Sequence, residues 1–228
     1  FFRIEVFAFK LIDDVHGWDP ASNDNNANPE GADNFSFSHG THCAGIAAAV
    51  TNNNIGVASV SHNVSLVPIK TATDGSGSIA AGFEGVEYAI VLGVDVISMS
   101  WGGGGASATE QAFFDEAYAD NIVVVAAAGN DNTDTPMYPA SYNHVISVAA
   151  IDENDTKASF TNYGETIDVS SPGVQIWSSV ATSTNSYEFY DGTSMACPFV
   201  SGLCALMLSF DPNATVDRVE QCLKETAD

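Results

Sequence analysis

Asp191-Gly-Thr-Ser-Met-Ala-Cys197, followed by Pro198 and an apolar run to Leu208, sets a serine in a tight glycine turn where a helix begins. A serine hydroxyl is a poor nucleophile unless a base stands beside it and donors await the oxyanion. A helix N-terminus supplies free backbone N–H groups and the positive end of a dipole. The same residues also suit a plain helix cap before a buried helix. Ser194 alone therefore leaves both readings open.

Two further stretches narrow the choice. Ser38-His-Gly-Thr-His-Cys-Ala-Gly45 places His39 and Gly40 before a run of small residues. That run reads as a buried helix over 40–50 with His39 at its N-terminus, facing outward as a base should. Ile122-Val-Val-Val-Ala-Ala-Ala-Gly-Asn130 is a continuous apolar run ending in Gly-Asn. Such a run suits a parallel strand buried on both faces and followed by a loop. Asn130 there serves either as turn chemistry or as an amide donor to an oxyanion.

Taken in order, these three motifs resemble the subtilisin-like serine proteases. The likeness extends over roughly 14–224. It also includes Asn52-Asn-Asn-Ile-Gly-Val57, Val94-Asp-Val-Ile-Ser-Met-Ser-Trp-Gly-Gly103, Tyr138-Pro-Ala140, Ala158-Ser-Phe-Thr161 and Ser171-Pro-Gly-Val174. The resemblance implies His39 as general base, Ser194 as nucleophile and Asn130 as oxyanion donor. It implies that Ser100, Trp101 and Gly102 line the primary specificity cleft and pair with an extended substrate backbone. It further implies a calcium loop, with ligation by the Asn53 side chain and the Thr51, Ile55 and Val57 carbonyls.

One family feature is missing. The catalytic aspartate of these proteases ends a strand as Asp-Ser-Gly or Asp-Thr-Gly, and no such motif precedes His39. Two readings remain open: the acid lies upstream of Phe1, or the apolar stretch 1–12 forms a substitute strand with Asp13 at its end. The chemistry accordingly reads as a serine endopeptidase or as a catalytically weak or inactive, peptide-binding relative that lacks the triad aspartate.

The chain has 228 residues, 45% of them hydrophobic, which suits one large peptidase domain over 1–228. Six Lys plus Arg stand against 29 Asp plus Glu, a net charge of −23. Phosphate contacts need basic residues, so nucleic acid is excluded as a partner, and anionic membranes would repel the surface. No apolar run is expected to reach membrane-spanning length, the longest being around Ile122 to Ala128. Residues 1–10 lack the basic start and cleavage site of a signal peptide. The expected protein is secreted or extracellular, monomeric, and acts on a peptide or protein with no cofactor for the chemistry.

Apolar runs and helical spacings alternate, which predicts an α/β, three-layer, doubly wound and mostly parallel sheet flanked by helices. Strands are expected at 64–70, 94–98, 122–127 and 145–150. Helices are expected at 40–50, 78–92, 106–120, 197–209 and 216–225. A late pair of short strands, 168–172 and 176–179, would lead to the serine turn. Loops 100–105 and 129–135 then fall at the carboxyl ends of strands, where such sheets bind ligands. The glycines of 102–105 lack the lysine and spacing of a phosphate loop.

The loop 19–33 is rich in side-chain oxygens but lacks the EF-hand pattern, so it reads as solvated rather than calcium-binding. Four cysteines leave their pairing open: Cys204 with Cys222 across two successive helices, Cys43 near Cys197 beneath the site, or buried free thiols.

Overall fold

The computed structural model describes residues 6–10, 17–28, 35–74, 77–183 and 185–227. In chain order the elements are β1 (Val6–Lys10), α1 (Phe35–Ala48), β2 (Ser65–Ile69), α2 (Gly82–Leu92), β3 (Val96–Met99), α3 (Ala108–Ala119) and β4 (Val123–Ala127). They continue with β5 (Ile146–Ile151), β6 (Val169–Pro172), β7 (Ile176–Ser179), β8 (Tyr187–Tyr190), α4 (Thr193–Phe210) and α5 (Val216–Thr226).

The main sheet has the order β2-β1-β3-β4-β5-β6, and β3 through β6 are parallel. Its apolar strands alternate between two cores. Val123, Val125 and Ala127 face α4 and α5, whereas Val124 and Ala126 face α2 and α3. A strand covered on both faces has no solvated side to mark, so it reads as one unbroken apolar run. Each fully buried aliphatic side chain contributes about 1.5–3 kcal/mol. A charge at Val124, which is 0% exposed, would remove that contribution and leave an unpaired ion in the core.

β1 supplies the substitute strand allowed by the apolar N-terminal stretch, but in a direction the sequence did not reveal. It lies between β2 and β3 and is antiparallel to both. Val6 faces Met99, at the end of the sheet that continues into Ser100, while Lys10 faces Ser65 at the far end. The strand thus leaves the sheet on the side away from Ser100. Asp13 lies outside the described residues.

Several boundaries differ from expectation. α1 starts at Phe35, so His39 sits within the helix rather than at its first position. α4 begins at Thr193, well before Cys197, which puts Ser194 in its first turn. The expected pair of late strands is split. β6 joins the main sheet beside β5, whereas β7 pairs with β8 in a separate antiparallel ribbon. The α4 helix is long and apolar enough to cross a membrane, contrary to the expectation that no run reaches that length, but most of it is buried in the protein interior.

The ribbon clamps α1. Ser178 Oγ donates to the His42 carbonyl at 2.7 Å and Ser179 Oγ to the Thr41 carbonyl at 3.1 Å. Gly45 makes this approach possible, because a Cβ there would lie 2.3 Å from Ser178 Oγ and 2.5 Å from Ser179 Oγ. His42 stacks on Tyr190 with ring centroids 4.3 Å apart, and its Nε2 lies 3.0 Å from the Glu188 carbonyl. Burial lowers the His42 pKa to about 4, against the opposing pull of the Glu188 and Ile176 carbonyls. His42 is therefore a neutral structural ring.

Candidate active site

Ser194 and Asn130 are brought together by the ends of parallel strands. β4 ends at Ala127 and continues through Ala128 and Gly129 to Asn130, which is exposed. Asn130 Oδ1 accepts from Thr193 N at 2.9 Å and from Thr193 Oγ1 at 3.0 Å. Thr193 Oγ1 in turn accepts from Gly129 N at 3.1 Å. With its oxygen held twice, the amide presents Nδ2 on the other side. Sequence reading passed over Thr193, and the only signal was its place beside Ser194.

The Ser194 N–H is in the first turn of α4, where the helix offers no acceptor. A Cβ on Gly192 would lie 3.6 Å from Asn130 Nδ2 and 3.6 Å from Ser194 N. Both donors thus border the same space, which the missing side chain keeps open. Gly192 also has φ 153°, a backbone angle that other residues rarely adopt.

Pro198 explains the surroundings of the serine carbonyl. It lies inside α4 and has no N–H to offer Ser194 O, its acceptor one turn back. That carbonyl instead accepts from Ser100 Oγ at 2.8 Å and from Cys43 Sγ at 3.2 Å. Ser194 Oγ donates to Ser100 O at 3.1 Å. The end of β3 and the start of α4 are therefore locked together through two serines.

Cys43 places the histidine helix beside the serine. His39 and Cys43 are one turn apart on α1, so they share a face. Cys43 reaches Ser194 O, and His39, half-buried, stands on the same side. Trp101 packs its indole against α2, edge-on to Phe83 at 5.6 Å. Gly102 is exposed.

The calcium set is less complete. Thr51, Asn53, Ile55 and Val57 lie on one loop, and 52–58 line a cavity of about 240 Å³. The lining offers amide and carbonyl oxygens but no carboxylate, and Asn53 Oδ1 accepts from Ile55 N at 3.0 Å. Among the described residues no three His, Cys, Asp or Glu side chains gather as metal ligands. These neutral oxygens do not by themselves fit a hard dication.

In the other oxygen-rich loop, Asp19 is 1% exposed and its Oδ2 lies 2.6 Å from Lys70 Nζ. Lys70 also pairs with Asp74 at 3.0 Å. Burial pushes the Lys70 pKa down, but the two carboxylates outweigh it and the pKa is raised. Asp19 thus acts as a buried counterion.

All four cysteines are free thiols, so the 204–222 bridge is not formed. Cys43 and Cys197 do both lie beneath the serine, but on different partners; Cys197 Sγ contacts Ser98 Oγ and Met99 O, each at 3.6 Å. Burial raises the Cys197 pKa and takes Cys204 to about 12, so neither is a ready nucleophile.

Comparison with known proteins agrees with this architecture. The subtilase family model matches residues 10–228. Thermitase of Thermoactinomyces vulgaris is 41% identical over 215 residues, covering 94% of this chain and 74% of that protein. Subtilisin DY of Bacillus licheniformis is 46% identical over 195 residues, covering 83% of this chain and 70% of that protein. A solved protease from Pseudoalteromonas arctica superposes with a TM-score of 0.78 at 32% identity, over 97% of this chain and 77% of its own. A cold-adapted subtilisin-like serine proteinase gives the same TM-score at 29% identity, over 92% and 73%. This chain belongs to the subtilase family of serine proteases.

Proposed function

We propose that this chain, as one peptidase domain, is a serine endopeptidase with Ser194 as nucleophile, His39 as base and Asn130 as oxyanion donor. The observation that carries the reading is the convergence of Asn130 Nδ2 and Ser194 N on the space beside Gly192. Two donors aimed at one point stabilise the charge that appears on a carbonyl oxygen only during attack.

In the reaction, the Ser194 hydroxyl leaves its bond to Ser100 O and gives its proton to His39 as Oγ adds to the peptide carbonyl. The C=O pair moves to the oxygen, facing the two N–H donors. Collapse breaks the C–N bond, and the His39 imidazolium protonates the departing amine. Water, deprotonated by His39, then releases the acyl group and restores the serine. The backbone at 100–102 aligns the substrate as an added strand. No cofactor enters these steps. A structural calcium at 51–57 would need a carboxylate from outside that loop. The acidic surface suits an extracellular, monomeric enzyme.

The test is labelling by a fluorophosphonate probe, which phosphonylates an activated serine with loss of fluoride. Labelling should vanish in Ser194→Ala and fall steeply in His39→Ala. A folded chain that takes no label, or one that labels equally without Ser194, overturns the reading.

A further inference from the structure

The β7–β8 ribbon carries an aromatic cluster that the peptidase reading does not use. Ser178 and Tyr190 are the ribbon residues buried against α1. Their neighbours Trp177 and Phe189 alternate with them and so turn to the opposite face. Trp177 and Phe189 are cross-strand partners with ring centroids 4.6 Å apart, and Tyr187 lies 6.1 Å from the same indole. Trp177 is 45% exposed and Phe189 57%. The Tyr187 hydroxyl rests on the loop 51–57, where Gly56 leaves no room for a Cβ, and Ile55 on that loop is exposed as well. Cross-strand stacking accounts for the pairing of these rings. It does not account for a joined apolar patch left in water, which marks an interaction surface.

The charge around the patch selects what it accepts. From 158 to 217 the chain contains no Lys or Arg, whereas Glu165, Asp168, Glu188, Asp191, Asp211 and Asp217 fall within that stretch. The loop 51–57 contains no Lys or Arg either. Cations from other parts of the chain are held elsewhere: Lys70 by Asp19, Lys157 by Asn132, Arg218 by Gln221 and Lys224 by Asp168. A second copy would bring another net charge of −23 against the face, and anionic lipid is repelled for the same reason. A cation is attracted twice, by the acidic surroundings and by the quadrupole of an exposed ring. A guanidinium also stacks flat on an indole, which an ammonium cannot do.

We propose that the aromatic face of the β7–β8 ribbon, formed by Trp177, Phe189 and Tyr187, is a docking surface for an arginine-bearing segment of a protein partner. The surrounding carboxylates supply the longer-range attraction, and the rings supply the contact. Docking there needs no chemistry at Ser194.

Binding is read by fluorescence anisotropy with a labelled Gly-Arg-Gly-Arg-Gly peptide on the Ser194→Ala chain, which keeps hydrolysis out of the measurement. The same peptide with Lys or with Glu in place of Arg serves as comparator. The Arg peptide should bind, the Lys peptide more weakly, and the Glu peptide not at all. Trp177→Ala should weaken the Arg peptide about tenfold, the weight of a partly desolvated cation–π contact. Neither Trp177→Ala nor Phe189→Ala changes the charge of the chain, so a loss in either belongs to the aromatic face and not to general acidity. Trp177→Tyr keeps a ring and should retain most of the binding, in chains shown to be folded by circular dichroism. An Arg peptide that fails to bind, binding indifferent to Trp177→Ala, or equal binding of the Glu peptide overturns the proposal. A dimer in sedimentation that Trp177→Ala dissolves would give the face to a second copy and overturn it too.

Discussion

The two halves of the site are held by different means. The serine half is a continuation of the central sheet. Ser100 follows directly on β3 and Asn130 lies three residues past β4, and each bonds directly to the first turn of α4. The histidine half rests on α1, which is clamped from outside by the β7–β8 ribbon and the His42–Tyr190 stack. One half thus inherits the rigidity of a core buried on both faces. The other depends on a two-stranded ribbon, an element with little stability of its own. Damage to the serine half should therefore show in catalysis, and damage to the histidine half in folding.

Asn130→Ala should have the largest effect. It should lower kcat about 10²–10³-fold, a magnitude established on subtilisin itself rather than derived from this chain. Steady-state kinetics with stability checked by urea unfolding would show it; an unfolding midpoint that falls in step with kcat would erase the contrast between the halves.

The histidine half should respond to acid. The His42 pKa is about 4 in the fold against an ordinary 6.5, so below pH 6.5 the unfolded chain takes the proton first. Stability then falls from about pH 6.5 and levels off below about pH 4, for a total loss of about 3 kcal/mol. Urea titrations at pH 7.5, 5.5 and 4 read this directly. His42→Phe should flatten that part of the profile, and an unchanged slope would mean other groups drive it.

Gly45→Ala should push the ribbon off α1 and destabilise the fold by about 1–3 kcal/mol, as overpacking does. Thermal unfolding measures the loss, and an unaltered Tm would show that the clamp is looser than its contacts. Thr193→Val should have the smallest effect. It removes the hydroxyl that orients Asn130, for a loss in kcat of about tenfold, the worth of one hydrogen bond. KM should hold; a change in KM alone would place Thr193 in substrate binding instead.

Much of the serine half was legible in the sequence. Ile122 to Asn130 reads as a buried strand with a functional end because unbroken apolar runs have few other uses. The Gly-Thr-Ser turn announces a helix start, although Pro198 suggested a start later than the true one at Thr193. The helix tolerates that proline because Ser100 Oγ and Cys43 Sγ take over the carbonyl it abandons. Strand β8 escaped notice because Tyr187-Glu-Phe-Tyr190 is only four residues long and has no clean alternation of apolar and polar residues. The start of α1 at Phe35 was hidden because the expected helix was anchored on the small residues after His39.

Residue types and their order alone were enough for the family and the α/β class, and for proposing His39, Asn130 and Ser194 as the reacting groups, since each depends on local chemistry that a motif records. The direction of β1, the bracing of Asn130 by Thr193 and the pairing of Asp19 with Lys70 are different in kind. Each joins residues distant in the chain, and each depends on which segments the folded core brings within a few ångströms. Apolar pattern specifies that β1 is a strand, but its neighbours' free hydrogen-bonding groups accept either direction, so its orientation belongs to the assembled sheet.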